Sequence, residues 1–223
     1  MERKICDFHM HSLFSDGDLL PSEIVRRTYV LENKAIAITD HADASNLEQV
    51  LAALCRASDH VSKFMPDFHL LPGVEITHVP PRSIPELAKA AKRYGAKIVV
   101  VHGQTPVEPV QEGTNEVSCR CPDVDILAHP GIISEEAVMA AKENSVFLEL
   151  SHRSGHCLGN GHVARLALKF GAQLVVDSDA HTIGDHLSPE EALKVAIGAG
   201  LTPKDADRVL FANPDLLLKR AGL

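Results

Sequence analysis

The sequence predicts an α/β fold, built either as a (β/α) barrel or as an open doubly wound sheet. Seven short apolar runs of strand length alternate with helical patterns along the 223 residues. No composition break or Gly/Ser linker divides them, so residues 1–223 read as one domain of a size that barrels often fill. No Gly-rich phosphate loop follows any run, which weakens a dinucleotide-binding arrangement.

The strand candidates are "KICDF" (4–8), "AIAIT" (35–39), "HLLPGVE" (69–75), "AKIVVV" (96–101), "DILA" (125–128), "VFLEL" (146–150) and "AQLVVD" (172–177). Each is mostly apolar, as parallel strands covered on both faces must be. Helical patterns fill the intervals. "PSEIVRRTYVLEN" begins at Pro21-Ser22, and "SNLEQVLAALCRASDHVSKF" takes Ser45 or Asn46 as its cap. "SIPELAKAAKRYG" is capped by Ser83 and stops at Gly95; "SEEAVMAAKEN" opens on Ser134. "GHVARLALKFG" closes on Gly171, and "SPEEALKVAIGAG" pairs a Ser188 cap with Pro189 in the first turn. Two short helices, about 203–210 and 214–221, finish the chain. Residues 102–124 form a long connection without periodicity, of the kind that serves as a lid, a binding loop or passive surface.

Composition excludes several function classes. With 22 basic against 30 acidic residues, 4% aromatics and no Trp, the composition argues against a surface built to hold nucleic acid, which would want basic grooves and stacking platforms. It shows neither a signal-peptide pattern nor an 18-residue apolar run, so neither secretion nor a membrane span is expected. Five scattered cysteines do not form a disulfide framework, and a cytoplasmic location is the default. Cys119 and Cys121 form a C-x-C that lacks structural zinc spacing.

The unusual feature is where the 13 histidines fall. In "DFHMHSLFSDG", His9 and His11 share one face of an extended segment, and Asp16 follows in the turn. The next runs end in Asp40-His41, Glu75, His102, His129, Ser151-His152-Arg153 and Asp177-Ser178-Asp179-Ala180-His181. In a barrel these ends meet on the face that carries active sites. One such histidine is ordinarily a hydrogen-bonded structural group. Nine imidazoles and carboxylates at one edge would leave buried polar groups unpaired and carboxylates repelling unless cations held them. The pattern therefore predicts a multinuclear metal site.

"DFHMHSLFSDG", "ITDH", "GVE", "VHG", "AHPG" and "DSDAH" resemble, in order and position from residue 7 to 181, the motifs of the PHP (polymerase and histidinol phosphatase) family. The resemblance implies a distorted (β/α)7 TIM-like barrel and a trinuclear centre of two to three divalent ions (Zn, Mn, Fe or Mg). It places His9, His11, Glu75 and Asp179 on one ion, and has Glu75 bridge to a second held by His102 and His129. Asp16, His41 and His181 would hold a third. Many members have His where this chain has Asp16, and a carboxylate there suits harder ions.

Such a centre generates hydroxide at neutral pH and clamps phosphate oxygens. The expected activity is hydrolysis of a small phosphomonoester, similar to histidinol-phosphate phosphatase, with Glu75 fixing the ion spacing. Arg153 is expected to grip phosphate, and His152 to bind it or protonate the leaving oxygen. Arg82 and His78 are weaker candidates for substrate contact. Asp7 and Asp40 either orient ligand histidines or pack structurally. His60, His69, His156, His162 and His186 read as structural or exposed. The alternatives are a nucleotide phosphodiesterase or exonuclease, an amidohydrolase-type C–N or C–O hydrolase, and a non-catalytic metal-binding scaffold.

Overall fold

The computed structural model describes residues 3–223. The main strands are β1 (Ile5–Asp7), β2 (Asn33–Ile38), β4 (His69–Ile76), β5 (Ile98–His102), β6 (Ile126–Ala128), β7 (Phe147–Ser151) and β8 (Leu174–Asp177), hydrogen-bonded in that order. A two-residue β3 (His41–Ala42) also pairs with β4. Every pairing is parallel. The helices α1 (Pro21–Val30), α2 (Leu47–Phe64), α3 (Ile84–Arg93), α4 (Thr114–Cys119), α5 (Glu135–Asn144), α6 (Asn160–Phe170), α7 (Pro189–Gly198), α8 (Pro203–Asp207) and α9 (Asn213–Ala221) occupy the connections.

The sheet curls until its edges meet, which decides against an open doubly wound sheet. Beyond β1 and β8, Met10 and Ala180 form a parallel bridge. His11 N–H donates to Ala180 O at 2.9 Å, and Asp179 N–H to His9 O at 2.9 Å. Side chains complete the seam: Asp177 accepts from Phe8 N–H at 2.6 Å, and Asp7 from Ser178 N–H at 3.0 Å. The result is a seven-stranded, nearly closed TIM-like barrel.

Strand periodicity sorts the apolar residues into two layers. Phe8, Ala35, Ala37, Leu71, Ile98, Val100, Ile126, Ala128, Phe147 and Val175 fill the interior together with Leu217, Leu218 and Ala221 of α9. Their alternates, such as Ile36, Val74, Val99, Leu127, Leu148 and Val176, pack against the outer helices. Helix α9 closes the end where the strands begin. There Lys34 Nζ lies 2.6 Å from Asp215, Asn213 donates to Leu174 O at 2.7 Å, and Arg220 to Ser145 O at 3.0 Å. The opposite mouth stays free for polar chemistry.

Local departures from the sequence expectations have local causes. The second strand breaks at Thr39-Asp40 and resumes as β3, while the 102–124 connection contains α4. Ser134 and Ser188 cap α5 and α7, accepting from Ala137 N–H and Glu191 N–H. Ser83 takes the N-cap position of α3 without a side-chain cap bond: a 3-10 turn over Pro81–Ser83 precedes the helix, and the Ser83 hydroxyl donates to Pro80 O. Asn46 takes the N-cap position of α2 but gives the helix no side-chain bond, because its Oδ1 accepts from Asp43 N–H in the turn that also engages Ser45.

Candidate metal centre

The inward face of each strand changes character as it nears the free mouth. Leu71 is followed inward by Gly73 and Glu75, and Ile98 and Val100 by His102. Phe147 is followed by Glu149 and Ser151, and Val175 by Asp177 and then Asp179. His129 breaks this count. It comes directly after inward-facing Ala128, and a φ of 27° turns the backbone at that residue. Asp179 likewise has a φ of 53°. Both sit in a backbone region that L-residues avoid, and such residues concentrate at functional sites.

These segments bring all nine expected ligands to one place. His9 Nε2 lies 3.4 Å from Glu75 Oε1 and 3.8 Å from Asp179 Oδ1. His11 Nε2 lies 3.4 Å from Asp179 Oδ1 and 3.1 Å from His9 Nε2. His129 Nε2 lies 3.5 Å from Glu75 Oε1 and 3.7 Å from Asp179 Oδ2. Asp16 faces His41 Nε2 at 3.5 Å and His181 Nε2 at 3.2 Å, with His11 Nδ1 at 3.7 Å. Ligand atoms converge as four groups about this cavity: His9-His11-Glu75, His9-His129-Asp179, Glu75-His102-His129 and His11-Asp16-His41-His181.

The donor set fits divalent cations on physical grounds. Glu75 and Glu149 are fully buried, and among the described residues Glu75 Oε1 and Glu149 Oε1 have no hydrogen-bond partner. Two imidazole nitrogens 3.1 Å apart, both aimed at carboxylates, supply converging lone pairs. Mixed imidazole and carboxylate ligation suits Zn, Mn or Fe, and the Asp16 position suits the harder of these. Without an ion, protons divide unevenly. Burial opposes charge on His41, but Glu75 and Asp16 outweigh it and raise its pKa to about 10. Burial likewise resists protonation of His9, whereas Glu149, Glu75 and Asp179 push its pKa well above the ordinary value. For His11 and His102 burial prevails, lowering them to about 3 and about 4. Glu75 and Asp179 stay ionised despite burial because the surrounding imidazoles depress their pKa values.

Residues offered for other roles separate clearly. Arg153 reaches the cluster: its Nη1 donates to Asp179 O at 3.2 Å and lies 2.8 Å from His181 Nδ1. His152, expected at the phosphate, lines a separate groove between α6 and α7 beside Glu191 and Lys194. It follows inward-facing Ser151, so it points to the other side of the sheet. Among the described residues neither Asp7 nor Asp40 hydrogen-bonds an imidazole. Asp7 accepts backbone N–H groups at the barrel seam, and Asp40 accepts Ser12 N–H at 2.8 Å and the Ser12 and Ser15 hydroxyls, each at 2.7 Å. Asp40 thus holds the turn that carries Asp16. Arg82 is exposed outside the cavity lining. Cys119 is buried, and burial pushes its thiol up to about 12, which leaves it inert.

Three groups have no ligand-site assignment in the sequence. Glu149, inside β7, accepts from His9 Nδ1–H at 2.6 Å. An acid within "VFLEL" was the available signal. Glu108, from the connection after β5, lies 3.1 Å from His102 Nε2 and 3.3 Å from His156 Nε2. His156, read as structural or exposed, is buried and lines the cavity with Glu108 and Arg153. His78 is exposed at its rim, 3.1 Å from Glu108.

Comparison with known proteins agrees with this architecture. The chain is 49% identical over 214 residues to an uncharacterized protein of Methanocaldococcus jannaschii, covering 96% of this chain and 98% of that protein. It is 26% identical to ribonuclease P protein component 3 of Methanosarcina acetivorans, across 97% of this chain and 90% of that one. Among solved structures, histidinol phosphate phosphatase of Lactococcus lactis, complexed with zinc, L-histidinol and phosphate, superposes with a TM-score of 0.63 at 16% identity. That match covers 89% of this chain and 95% of the other. The PHP domain itself matches over residues 7–171, from the first histidine pair to the end of α6, and this chain belongs to the PHP domain family.

Proposed function

We propose that this chain is a metal-dependent phosphoesterase acting on a small phosphomonoester. One observation carries the reading: nine imidazoles and carboxylates from every part of the barrel converge in overlapping groups at one mouth, and seven of them line one narrow polar cavity with His9 and His11 directly behind it. Divalent cations held there supply Lewis acidity and a nucleophile at neutral pH, the chemistry that slow phosphate ester hydrolysis needs. Glu75, touched by His9, His11, His41 and His129, is the carboxylate that would be shared between neighbouring ions. Arg153 keeps one guanidinium nitrogen on His181 and has further N–H groups to offer a phosphate oxygen. Glu149 fixes the His9 tautomer. The cavity, about 50 Å³, is of a size for small ions, and the adjoining depression of about 400 Å³ has room for a small phosphate ester.

A second reading rests on the ribonuclease P relative, aligned over nearly the whole chain: a protein subunit bound to structured RNA. The acidic balance, −8, weighs against it. One experiment separates the two. Purified protein is assayed on phosphomonoesters, phosphodiesters, amides and lactones with Mn²⁺, Zn²⁺ or Mg²⁺, and in parallel for binding to a structured RNA. Turnover of phosphomonoesters that is lost with metal in His9→Ala and Glu75→Ala supports the proposal. Inertness toward phosphate esters together with salt-sensitive RNA binding supports the second reading. Turnover of amides or lactones alone refutes both.

A further inference from the structure

Outside the nine-ligand cluster lies a second set of donors. Glu108 Oε2 sits 3.1 Å from His102 Nε2 and 3.1 Å from His78 Nε2, so these three form a compact triad. They come from three segments: the turn after β4, the end of β5 and the connection from β5 to α4. His78 is held at a φ of 53°, a costly conformation for a residue with a side chain, and there its ring lies 4.8 Å from that of His102, tilted by 38°. The connection carrying Glu108 is anchored. Gln104 N–H donates to Asn115 Oδ1 at 2.9 Å and Asn115 N–H to Gln104 Oε1 at 3.1 Å, while the Asn115 side chain donates to Pro130 O at 2.8 Å.

The triad stands at a junction. Glu108, Asp16 and His41 line both the inner cavity and the more open depression beside it. That depression also presents Asp43, so three carboxylates face an ion approaching from solvent. His102 is the limiting partner. Its Nδ1 faces Gly103 O at 3.2 Å, so only Nε2 is left to ligate, and it can serve the inner group or the outer triad but not both.

We propose that His78 and Glu108, with His102, form an outer cation station through which divalent ions pass from the acidic vestibule to the position held by Glu75, His102 and His129. The station holds an ion transiently, and His102 then hands it inward to the more buried carboxylate. A focused negative field draws cations in; once the inner positions are filled, their charge makes the same mouth hospitable to a phosphate ester. The inference rests on the metal-centre reading above.

Chelator-stripped protein mixed rapidly with Co²⁺ tests it, with ligand-field absorbance read for loading rate and elemental analysis for final stoichiometry. Glu108→Gln and the exposed His78→Gln are each expected to slow loading about tenfold, and Glu108→Gln, which removes a negative charge from the path, also to weaken its salt dependence. Final ion content should equal the wild type. Unchanged loading rates in both variants would overturn the station. So would loss of an equilibrium ion in either, which would make the residue a resident ligand instead. His78→Gln stands in if Glu108→Gln does not fold. A wild-type protein that takes up no ion sinks the metal-centre reading itself, a result distinct from equal rates in wild type and variants.

Discussion

Glu149 Oε2 lies 2.6 Å from Nδ1 of His9, with both side chains fully buried. Accepting from Nδ1–H leaves the Nε2 lone pair aimed at Glu75 and Asp179, so the carboxylate fixes which nitrogen can ligate. Glu149→Gln keeps the shape but weakens this acceptor and can present its amide to the wrong nitrogen. Metal affinity is expected to fall about 10–100-fold, with little change in the fold of the metal-free protein. Chelator competition measures it, and wild-type affinity in the variant would refute the role of Glu149.

Asp16 is half-exposed between His41 and His181. Asp16→His should move the outermost ion's preference from Mn²⁺ or Mg²⁺ toward Zn²⁺, because imidazole is the softer donor. Competitive loading from equimolar mixtures, followed by elemental analysis, reads the shift. An unchanged Mn-to-Zn ratio would show that Asp16 does not ligate.

Metal uptake should release protons. At pH 7 the metal-free protein carries charge on His41, whose pKa is raised to about 10 against burial by Glu75 and Asp16, and on His9, raised by Glu149, Glu75 and Asp179. His11, lowered to about 3 by burial, and His102, lowered to about 4, are already neutral. An ion must displace the protons on His9 and His41, so affinity rises with pH up to about 10. Calorimetry in buffers of different ionisation heat should show net release at pH 7; none would contradict this charge pattern. The same linkage runs oppositely for stability. His41's contribution in chelator-treated protein is fully present below its unfolded pKa of about 6.5 and fades as pH climbs through about 10.

Gly17 keeps the Asp16 turn closed by contact. A Cβ there would fall 2.2 Å from His11 O and 2.5 Å from His11 C, both backbone atoms that cannot swing aside. Gly17→Ala should therefore open the turn, displace Asp16 and remove one bound ion, while costing about 1–3 kcal/mol of stability. Elemental analysis and thermal unfolding test this. Full ion content with an unchanged melting temperature would show that the turn tolerates a side chain.

Much of the site was legible because parallel strands are read residue by residue. Glu75 and His102 end apolar runs and sit in the inward register, so the run itself points to them. Glu149 escaped because it lies within its run, one inward step short of the end, where an acid looks like an interruption. His152 misled because it lies one residue past inward-facing Ser151, and a single step reverses the face. His129 shows the opposite case: it follows inward Ala128, and a left-handed φ at His129 itself marks a break in the strand count. No spacing rule contains that turn. Glu108 rides on an irregular connection whose course is set by Gln104, Asn115 and Pro130 rather than by periodicity.

The amino-acid order by itself determined that seven apolar runs would lie parallel and that each would deliver polar residues to one edge. Hydrophobic period and run length are local properties, and burial on two faces leaves few alternatives. Tertiary structure alone decided that β1 and β8 would meet, which carboxylate would hold His9, and which histidine would face the groove instead of the cavity. Those outcomes depend on side chains about 140 residues apart, as with His9 and Glu149, and only the closing of the barrel brings such groups within reach.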